Sequence, residues 1–259
     1  MAIDALASGL AVLSSFSPGR PEWGLTELSD RLGMYKSRVH RILDTLALEG
    51  FVERDPETLK YRLGWKVRDL GAAAGSHGDA ILISTARPHL LTLREKTKGA
   101  IHIRAVHGDA NVIVDALESP LPLRLVRPIG ERSPLHFGAS GKAILAFASE
   151  SLRAHALGAG LDQRFTGSTV TGLEAYLREL KKVRRLGYAY TDEEAIEGVR
   201  GVAAPLISRD GYATAAITSV LPAAKLLDRN LAAHGRAVAE CAAQISKKLG
   251  APARPVDHS

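Results

Sequence analysis

Two short helical patterns separated by a glycine lie between residues 25 and 50, and they constrain the fold more than any other feature of the sequence. The first pattern begins at Thr26, which we expect to be the N-cap, with Glu27 in the first turn and Gly33 as the stop. The second opens at Lys36, and its apolar residues recur at helical spacing: Val39, Ile42, Leu43 and Leu46. Two helices joined by such a turn are typical of a helix-turn-helix motif.

The second helix of this motif begins with polar and basic side chains and has no acidic residue before Asp44. The N-terminal end of a recognition helix is the part that meets base edges in the major groove. Ser37 and the first amides of the helix suit a phosphate, and Arg38 suits a bidentate pair with guanine. The candidate DNA-contacting residues here are Lys36, Ser37, Arg38, His40 and Arg41. A solvated basic helix face is the alternative that the pattern leaves open.

The segment after the second helix predicts a β-hairpin. Residues 51–54 and 59–63 alternate in side-chain character, and residues 55–58 (Asp-Pro-Glu-Thr) supply the turn. A hairpin directly after a recognition helix is typical of a winged helix, in which the wing contacts the DNA backbone or the minor groove. Such contacts fix the position of the protein rather than read the sequence. The candidate wing residues are Arg54, Lys60 and Arg62.

A further helix is predicted from Asp4 to Phe16, with one face formed by Leu6, Leu10, Leu13 and Phe16. This face carries more apolar surface than one small domain needs. Pairing with the same helix of a second copy is therefore one interpretation, and an ordinary core helix is the other. We predict a winged helix-turn-helix domain over residues 1–64, a linker helix over 65–78 and a second domain over 79–259.

The second domain mixes strand and helix patterns. A helical pattern from Asp79 to Lys98 contains Pro88, which should kink or break it. The predicted strands of this domain cover residues 100–107, 111–117, 123–128, 201–207 and 212–220. Its further predicted helices cover residues 141–148, 174–186 and 223–249. Runs of strands with helices at both ends predict an α+β fold with an antiparallel sheet.

Composition limits the function classes. The 259 residues include 34 basic and 28 acidic side chains, and residues 1–75 hold ten of each sign, so the net charge of +6 resides in the rest of the chain. The single cysteine, Cys241, forms no internal disulfide and no CxxC pair. No stretch approaches the ~18 apolar residues of a membrane span, and the N-terminus lacks a signal-peptide pattern. We expect a cytoplasmic protein without a membrane partner.

The second domain contains partial matches to catalytic and metal-binding motifs. The run from Gly138 to Ala143 lacks the glycine and the hydroxyl residue of a phosphate-binding loop, and it is not a GxSxG elbow. His102, His107 and Asp109 are close in sequence and could in principle share a metal ion. A regular strand, however, would place the two histidines on opposite faces. The acidic run from Asp192 to Glu194 suits either a carboxylate pair for acid catalysis or a solvated helix start, and we favour the helix start. The sequence therefore predicts no enzyme, no metal and no cofactor.

A loop of small residues, Gly138 to Gly141, leads into a predicted helix. Its amides can approach a ligand closely, and a helix N-terminus favours negative charge. Binding of a small anion is one interpretation of this loop. Close packing of a helix against a sheet is the other.

Ordered motifs along most of the chain resemble the IclR (isocitrate lyase regulator) family of bacterial transcription factors. In the first half they are Leu25-Thr26-Glu27-Leu28, Arg31-Leu32-Gly33, residues 36–41, 49–55 and 61–64. In the second half they are Pro134-Leu135-His136, residues 139–146, Gly187-Tyr188-Ala189, Asp192-Glu193-Glu194 and Ala203-Ala204-Pro205. Two positions depart from the family: Arg38 replaces a small residue, and Gly201 stands where a cysteine is frequent.

The resemblance implies a transcriptional regulator in which a GAF-like C-terminal domain binds a small organic-acid effector. It further implies homodimers that associate into homotetramers and a double-stranded DNA operator. The effector-binding positions that it implies are Ala139, Ser140, Thr191, Gly201, Thr218 and Val220. The alternatives are an architectural DNA-binding protein without a ligand and an enzyme acting on a small acid.

Overall fold

The computed structural model describes residues 3–17, 20–74, 79–122, 125–158 and 160–252. The chain divides into two compact units, residues 1–78 and 79–259. The elements of the N-terminal unit are α1 (Asp4–Leu13), β1 (Glu22–Trp23), α2 (Leu25–Leu32), α3 (Lys36–Leu48), β2 (Val52–Arg54), β3 (Tyr61–Leu63) and α4 (Trp65–Ala74).

The N-terminal unit is a winged helix-turn-helix domain. Gly33 ends α2 in the left-handed region at φ 62°, as the sequence predicts. The three strands form one antiparallel sheet in the order β1-β3-β2. In the wing turn, one carboxylate oxygen of Asp55 accepts the amides of Glu57 and Thr58 at 2.9 and 2.8 Å. The core beneath the three helices consists of Val12, Phe16, Trp23, Leu28, Val39, Leu43, Val52 and Tyr61.

Two boundary predictions in this unit are wrong. The N-cap of α2 is Gly24, because its amide donates to the carboxylate of Glu27 at 2.9 Å and starts the helix one residue before Thr26. Helix α1 ends at Leu13 rather than Phe16. The carbonyl of Ser15 accepts the indole N–H of Trp23 at 2.9 Å, which turns the chain into the core at that point.

The C-terminal unit is an antiparallel sheet with helices on both faces. Its elements are α5 (Asp79–Thr97), β4 (Ala100–His107), β5 (Ala110–Leu117), β6 (Arg132–Pro134), α6 (Gly138–Phe147), α7 (Glu150–Gly158), α8 (Leu173–Leu186), β7 (Ala189–Asp192), β8 (Val199–Ile207), β9 (Ala213–Pro222) and α9 (Asp228–Lys248). The strand order is β6-β5-β4-β9-β8-β7. One face packs on α5 and α9, and the other packs on α6, α7 and α8.

Several predictions for this unit are corrected. Helix α5 does not break at Pro88, and the prediction of a kink there stays a prediction. Residues 125–128 form no strand, and residues 123 and 124 lie outside the described part of the chain. On the side of β5 away from β4, the neighbouring strand is β6, which the sequence did not predict. A turn at Gly130 (φ 87°) brings residues 131–134 alongside β5. The short edge strand β7 and the helix α7 were not predicted either.

The starts of two helices, α6 and α9, also differ from the prediction. Helix α6 begins at Gly138, so the small residues predicted as a loop form its first turn. Helix α9 begins at Asp228 rather than at residue 223. The guanidinium of Arg200 donates to the carbonyl of Leu226 at 2.6 Å and pairs with Asp228 at 2.9 Å, which holds the preceding turn out of the helix.

Candidate nucleic-acid interface and ligand cavity

The exposed side of α3 presents the predicted recognition residues. Val39 and Leu43 are fully buried, and at 3.6 residues per turn Ser37 and Arg41 lie on the opposite side of the helix. All five predicted residues of this helix are exposed. Helix α3 therefore has an apolar inner face and a basic outer face, as a helix that enters a groove requires.

Not every cation on this helix is available to DNA in the same way. The guanidinium of Arg38 donates to Asp4 at 2.5 Å and to Ser8 at 2.7 Å, so it is engaged with α1. His40 lies 2.9 Å from Asp44, one turn further along α3. Within the described residues, neither Lys36 nor Arg41 has a carboxylate at ion-pair distance. Lys36 and Arg41 are thus the two uncompensated cations of the helix.

The wing brings its three predicted residues onto one small hairpin. Arg62 pairs with its cross-strand neighbour Glu53 at 3.3 Å. Arg54 lies over the ring of Tyr61 at 5.5 Å and donates to the carbonyl of Leu59 at 3.3 Å. Lys60 is exposed at the turn, where its ammonium is available to a phosphate.

Sequence reasoning missed Tyr35, the N-cap residue of α3. Its side chain is 87% exposed, which is unusual for a tyrosine and places an aromatic ring beside the basic end of the helix. A large aromatic residue inside the turn of a helix-turn-helix motif was the sequence feature that could have identified it.

A cavity of about 50 Å³ lies between the first turn of α6 and the adjoining face of the sheet. All six residues predicted to bind an effector line it: Ala139, Ser140, Thr191, Gly201, Thr218 and Val220. They come from α6, β7, β8 and β9, which the antiparallel strand order brings together. A side-chain Cβ at Gly141 would lie 2.5 Å from the carbonyl carbon of His136, so glycine at that position permits the close approach of α6.

Three basic side chains that the sequence did not predict also line the cavity: His102, Arg104 and Arg127. Arg104 donates to the hydroxyl of Ser133 at 2.9 Å and pairs with Glu131 at 3.3 Å. Arg127 pairs with the same carboxylate. Two guanidinium groups therefore share one carboxylate, which leaves a positive charge at the cavity wall.

Burial sets the protonation of these groups. Desolvation, together with the nearby charges of Arg104 and Arg127, lowers the pKa of His102 to about 4. Burial and the charge of Arg127 lower the pKa of Arg104 to about 10. Near neutral pH, His102 is therefore a neutral imidazole and Arg104 is a cation.

The hydrogen-bonding groups of α6 and β9 complete the cavity. Phe137, the N-cap of α6, provides no side-chain cap, so it offers no acceptor to the first amides of the helix. These amides lie at the positive end of the helix dipole. The hydroxyl of Ser140 accepts from Asn111 at 3.0 Å. The buried hydroxyl of Thr218 has no hydrogen-bond partner among the described residues. This arrangement is suited to a small anion.

A buried ion cluster holds one wall of the cavity. The ammonium of Lys142, in α6, lies 2.7 Å from both carboxylate oxygens of Glu194 and 3.5 Å from Glu179. Burial raises the pKa of Glu194. Glu194 therefore belongs to a buried pair on the loop between β7 and β8, and the expectation of a solvated helix start is wrong.

The metal grouping of His102, His107 and Asp109, which the sequence disfavours, does not form. His107 lies 2.9 Å from Asp79, on the α5 side of the sheet, whereas His102 lines the cavity on the α6 side. Asp109 pairs with Arg132. In the part of the chain that the structure describes, no three histidine, cysteine or carboxylate side chains are placed to hold a metal ion.

Comparison with known proteins agrees with both units. The family model described as the bacterial transcriptional regulator IclR C-terminal domain matches residues 76–247. The IclR helix-turn-helix model matches residues 5–56. The chain belongs to the IclR family. Its N-terminal domain is accordingly a DNA-binding helix-turn-helix domain, and none of the helices in the described ranges is long and apolar enough to cross a membrane.

Members of the IclR family with curated names are regulators. The transcriptional regulator KdgR of Escherichia coli is 34% identical over 229 residues, which cover 88% of this chain and 86% of KdgR. BhcR of Paracoccus denitrificans is 36% identical over 227 residues, covering 86% and 79% of the two chains. A solved IclR homologue from Microbacterium hydrocarbonoxydans, complexed with 4-hydroxybenzoate, is 25% identical with a TM-score of 0.82, covering 95% and 99%.

The lowered pKa of His102 predicts a specific dependence of stability on pH. Between about pH 4, where folded His102 takes up a proton, and about 6.5, the value of an unperturbed histidine, the unfolded chain binds more protons. The free energy of unfolding therefore falls as the pH is lowered through this window, by up to about 1.4 kcal/mol per pH unit from this group.

We expect His102→Gln to reduce that slope in urea unfolding measured from pH 4.5 to 7. The control is the range from about pH 7.5 to 8.5, above both pKa values, where the slopes of the wild type and His102→Gln should be equal. A slope that is the same in wild type and His102→Gln would contradict the neutral state of His102.

Proposed function

We propose that this protein is a sequence-specific transcriptional regulator of a metabolic or catabolic operon, controlled by a small organic acid. It acts in the cytoplasm by binding rather than by catalysis. In this proposal residues 1–64 bind DNA, 65–78 link the domains, and 79–259 bind the effector and associate with other copies. The cavity carries the proposal, because the same chain joins a helix-turn-helix domain to a buried, positively charged ligand site.

The chemistry of the cavity favours a carboxylate. Arg127 and the amides at the start of α6 offer charge-assisted hydrogen bonds, and Ser140 and Thr218 offer hydroxyls. Ala139, Gly201 and Val220 leave the remaining wall small or apolar. An anionic head with a modest apolar body matches this lining. The homologue complexed with 4-hydroxybenzoate supports the same class of ligand.

An effector has to enlarge the cavity in order to enter. A volume of about 50 Å³ is roughly a third of the ~150 Å³ of a protein cavity that holds one benzene molecule. The walls that can move are the segment around Arg127 and the loop with Ala195 and Ile196, since neither is part of a strand or helix. Because a ligand regulates only when it prefers one arrangement, we assign the regulatory step to the movement of these walls.

For DNA recognition we give Arg41 the base-reading role that the sequence suggested for Arg38. Arg41 lies on the outer side of α3 and has no described carboxylate partner, whereas Arg38 would first have to leave Asp4 and Ser8. Ser37 and Lys36 suit phosphate contacts, as do the wing residues. Paired subunits would place two such helices in major grooves about 34 Å apart, or at a multiple of that distance.

Association through α1 is part of the proposal. Leu6 and Leu10 are 59% and 54% exposed, although both are large apolar residues on one helix face. They border a groove of about 830 Å³ between α1 and α3, with Leu13, Ile42 and Leu46 along it. We infer that a second copy of α1 covers the apolar part of this groove in a homodimer, while Ser37 and Arg41, which also line it, stay available to DNA. The C-terminal domains would join dimers into tetramers.

Arg41→Ala should lower affinity for the cognate operator by about 1–3 kcal/mol and leave binding to random DNA nearly unchanged. Lys60→Ala should weaken both alike and reduce the salt slope by about one. Fluorescence anisotropy across a salt series measures both effects, with the exposed Lys96→Ala as control. Equal losses on both DNAs for Arg41→Ala would refute the base-reading role.

Arg127→Gln should weaken effector binding about tenfold or more, because a charge-assisted hydrogen bond is lost. Arg132→Gln is the matched control, since Arg132 is exposed and pairs with Asp109 outside the cavity. Calorimetry with 4-hydroxybenzoate, glyoxylate and gluconate gives the affinities, and thermal melts check the fold. If any acid binds both variants equally, its site is not this cavity.

Leu6→Glu and Leu10→Glu should each shift the protein toward smaller species in sedimentation velocity, because a charge would be buried at the groove. Leu48→Glu, on the 86%-exposed end of α3, is the control that should leave the distribution unchanged. An unaltered distribution for all three variants would mean that α1 is not an association surface.

A further inference from the structure

A basic cleft lies between α7 and α8, on the same side of the sheet as α6. Its volume is about 370 Å³, and its lining residues are Arg153, Glu174, Leu177, Arg178, Leu180, Lys181 and Arg184. Residues 174, 177, 178 and 181 recur at i, i+3, i+4 and i+7, so they form one continuous face of α8. None of these residues lines the proposed effector cavity.

The charge of the cleft is strongly unbalanced. Its lining contains four cationic side chains and one carboxylate, Glu174. That carboxylate already pairs with Arg178 at 2.6 Å. Helix α8 as a whole carries five basic residues against two acidic ones. The second acid, Glu179, accepts from Lys182 at 2.7 Å and contacts the buried Lys142, so it lies outside the cleft.

Two guanidinium groups are held near each other in this cleft. Arg184 donates from Nε to the carbonyl of Ala146 at 2.8 Å, which fixes its orientation. Burial and the positive charge of Arg153 lower the pKa of Arg184. On the other side, Nη1 of Arg153 is buried and has no hydrogen-bond partner among the described residues. A buried, unsatisfied donor on a charged group is costly.

An anion with several oxygens in the cleft would offset the repulsion between Arg153 and Arg184, and a small movement of Arg153 would give its Nη1 an acceptor. Guanidinium groups bind phosphate through paired N–H donors, and a flexible lysine adds a point charge. We propose that the α7–α8 cleft binds a phosphate group, with Arg153, Arg184 and Lys181 as its ligands. The phosphate belongs either to a small phosphorylated molecule or to the DNA backbone. The site is separate from the effector cavity and goes beyond the proposed function.

The test uses the full chain in a chloride buffer, with inorganic phosphate and pyrophosphate as probes in calorimetry. We expect saturable binding that Arg153→Gln weakens about tenfold or more. Arg185→Gln is the matched control, because Arg185 is an exposed neighbour on α8 outside the lining, and it should leave the affinity unchanged. Thermal melts confirm that the variants are folded.

A second arm distinguishes the two sources of the phosphate. If the group belongs to DNA, neither small probe binds, and Arg153→Gln lowers the salt slope of duplex binding by about one, whereas Arg185→Gln does not. The proposal is overturned if phosphate, pyrophosphate and duplex DNA are all insensitive to Arg153→Gln. Equal losses in Arg153→Gln and Arg185→Gln also overturn it, since the binding would then reflect net charge alone.

Discussion

The buried ammonium of Lys142 constrains the C-terminal domain more than any other single group. It is 1% exposed, and an unpaired ammonium at that depth would cost several kcal/mol, so the chain must bring carboxylates to it. Glu194 and Glu179 do so from the β7–β8 loop and from α8. Lys142 lies one turn after Ala139, and Glu194 directly precedes Ala195, so this pairing positions two of the cavity walls.

The parts of the fold that follow from local pattern were predictable. The bounds of β4 match the prediction, and those of α3 match to within about one residue, because strand alternation and helical periodicity are written into adjacent residues. The resemblance to the IclR family identified six positions, distant in sequence, that all line one cavity. Spacing alone would not have done so, since Thr191, Gly201 and Thr218 meet only through the antiparallel order of β7, β8 and β9.

The parts that were missed depend on partners distant in sequence. Arg104 and Arg127 could not be assigned to the cavity without knowing that both reach Glu131. The contact of Arg38 with Asp4, 34 residues earlier, could not be read from the recognition helix alone. The acidic run at Glu194 looks solvated in the sequence, because nothing local indicates a lysine 52 residues away. In each case an ion pair of the folded chain fixes a side chain in a position that the neighbouring residues do not indicate.

The small volume of the cavity has a consequence for the concentrations at which the proposed effector would act. If the empty protein rests mostly with its walls together, the apparent dissociation constant is the intrinsic one divided by the small fraction of open molecules, so the measured affinity is lower. Trace amounts of the proposed effector would then leave transcription unchanged, and only its accumulation would produce a response. Substitutions in the walls, far from any ligand atom, would shift this threshold. Substitutions that weaken the Lys142–Glu194 pair would therefore change the effector concentration needed for a response without changing which ligand is preferred.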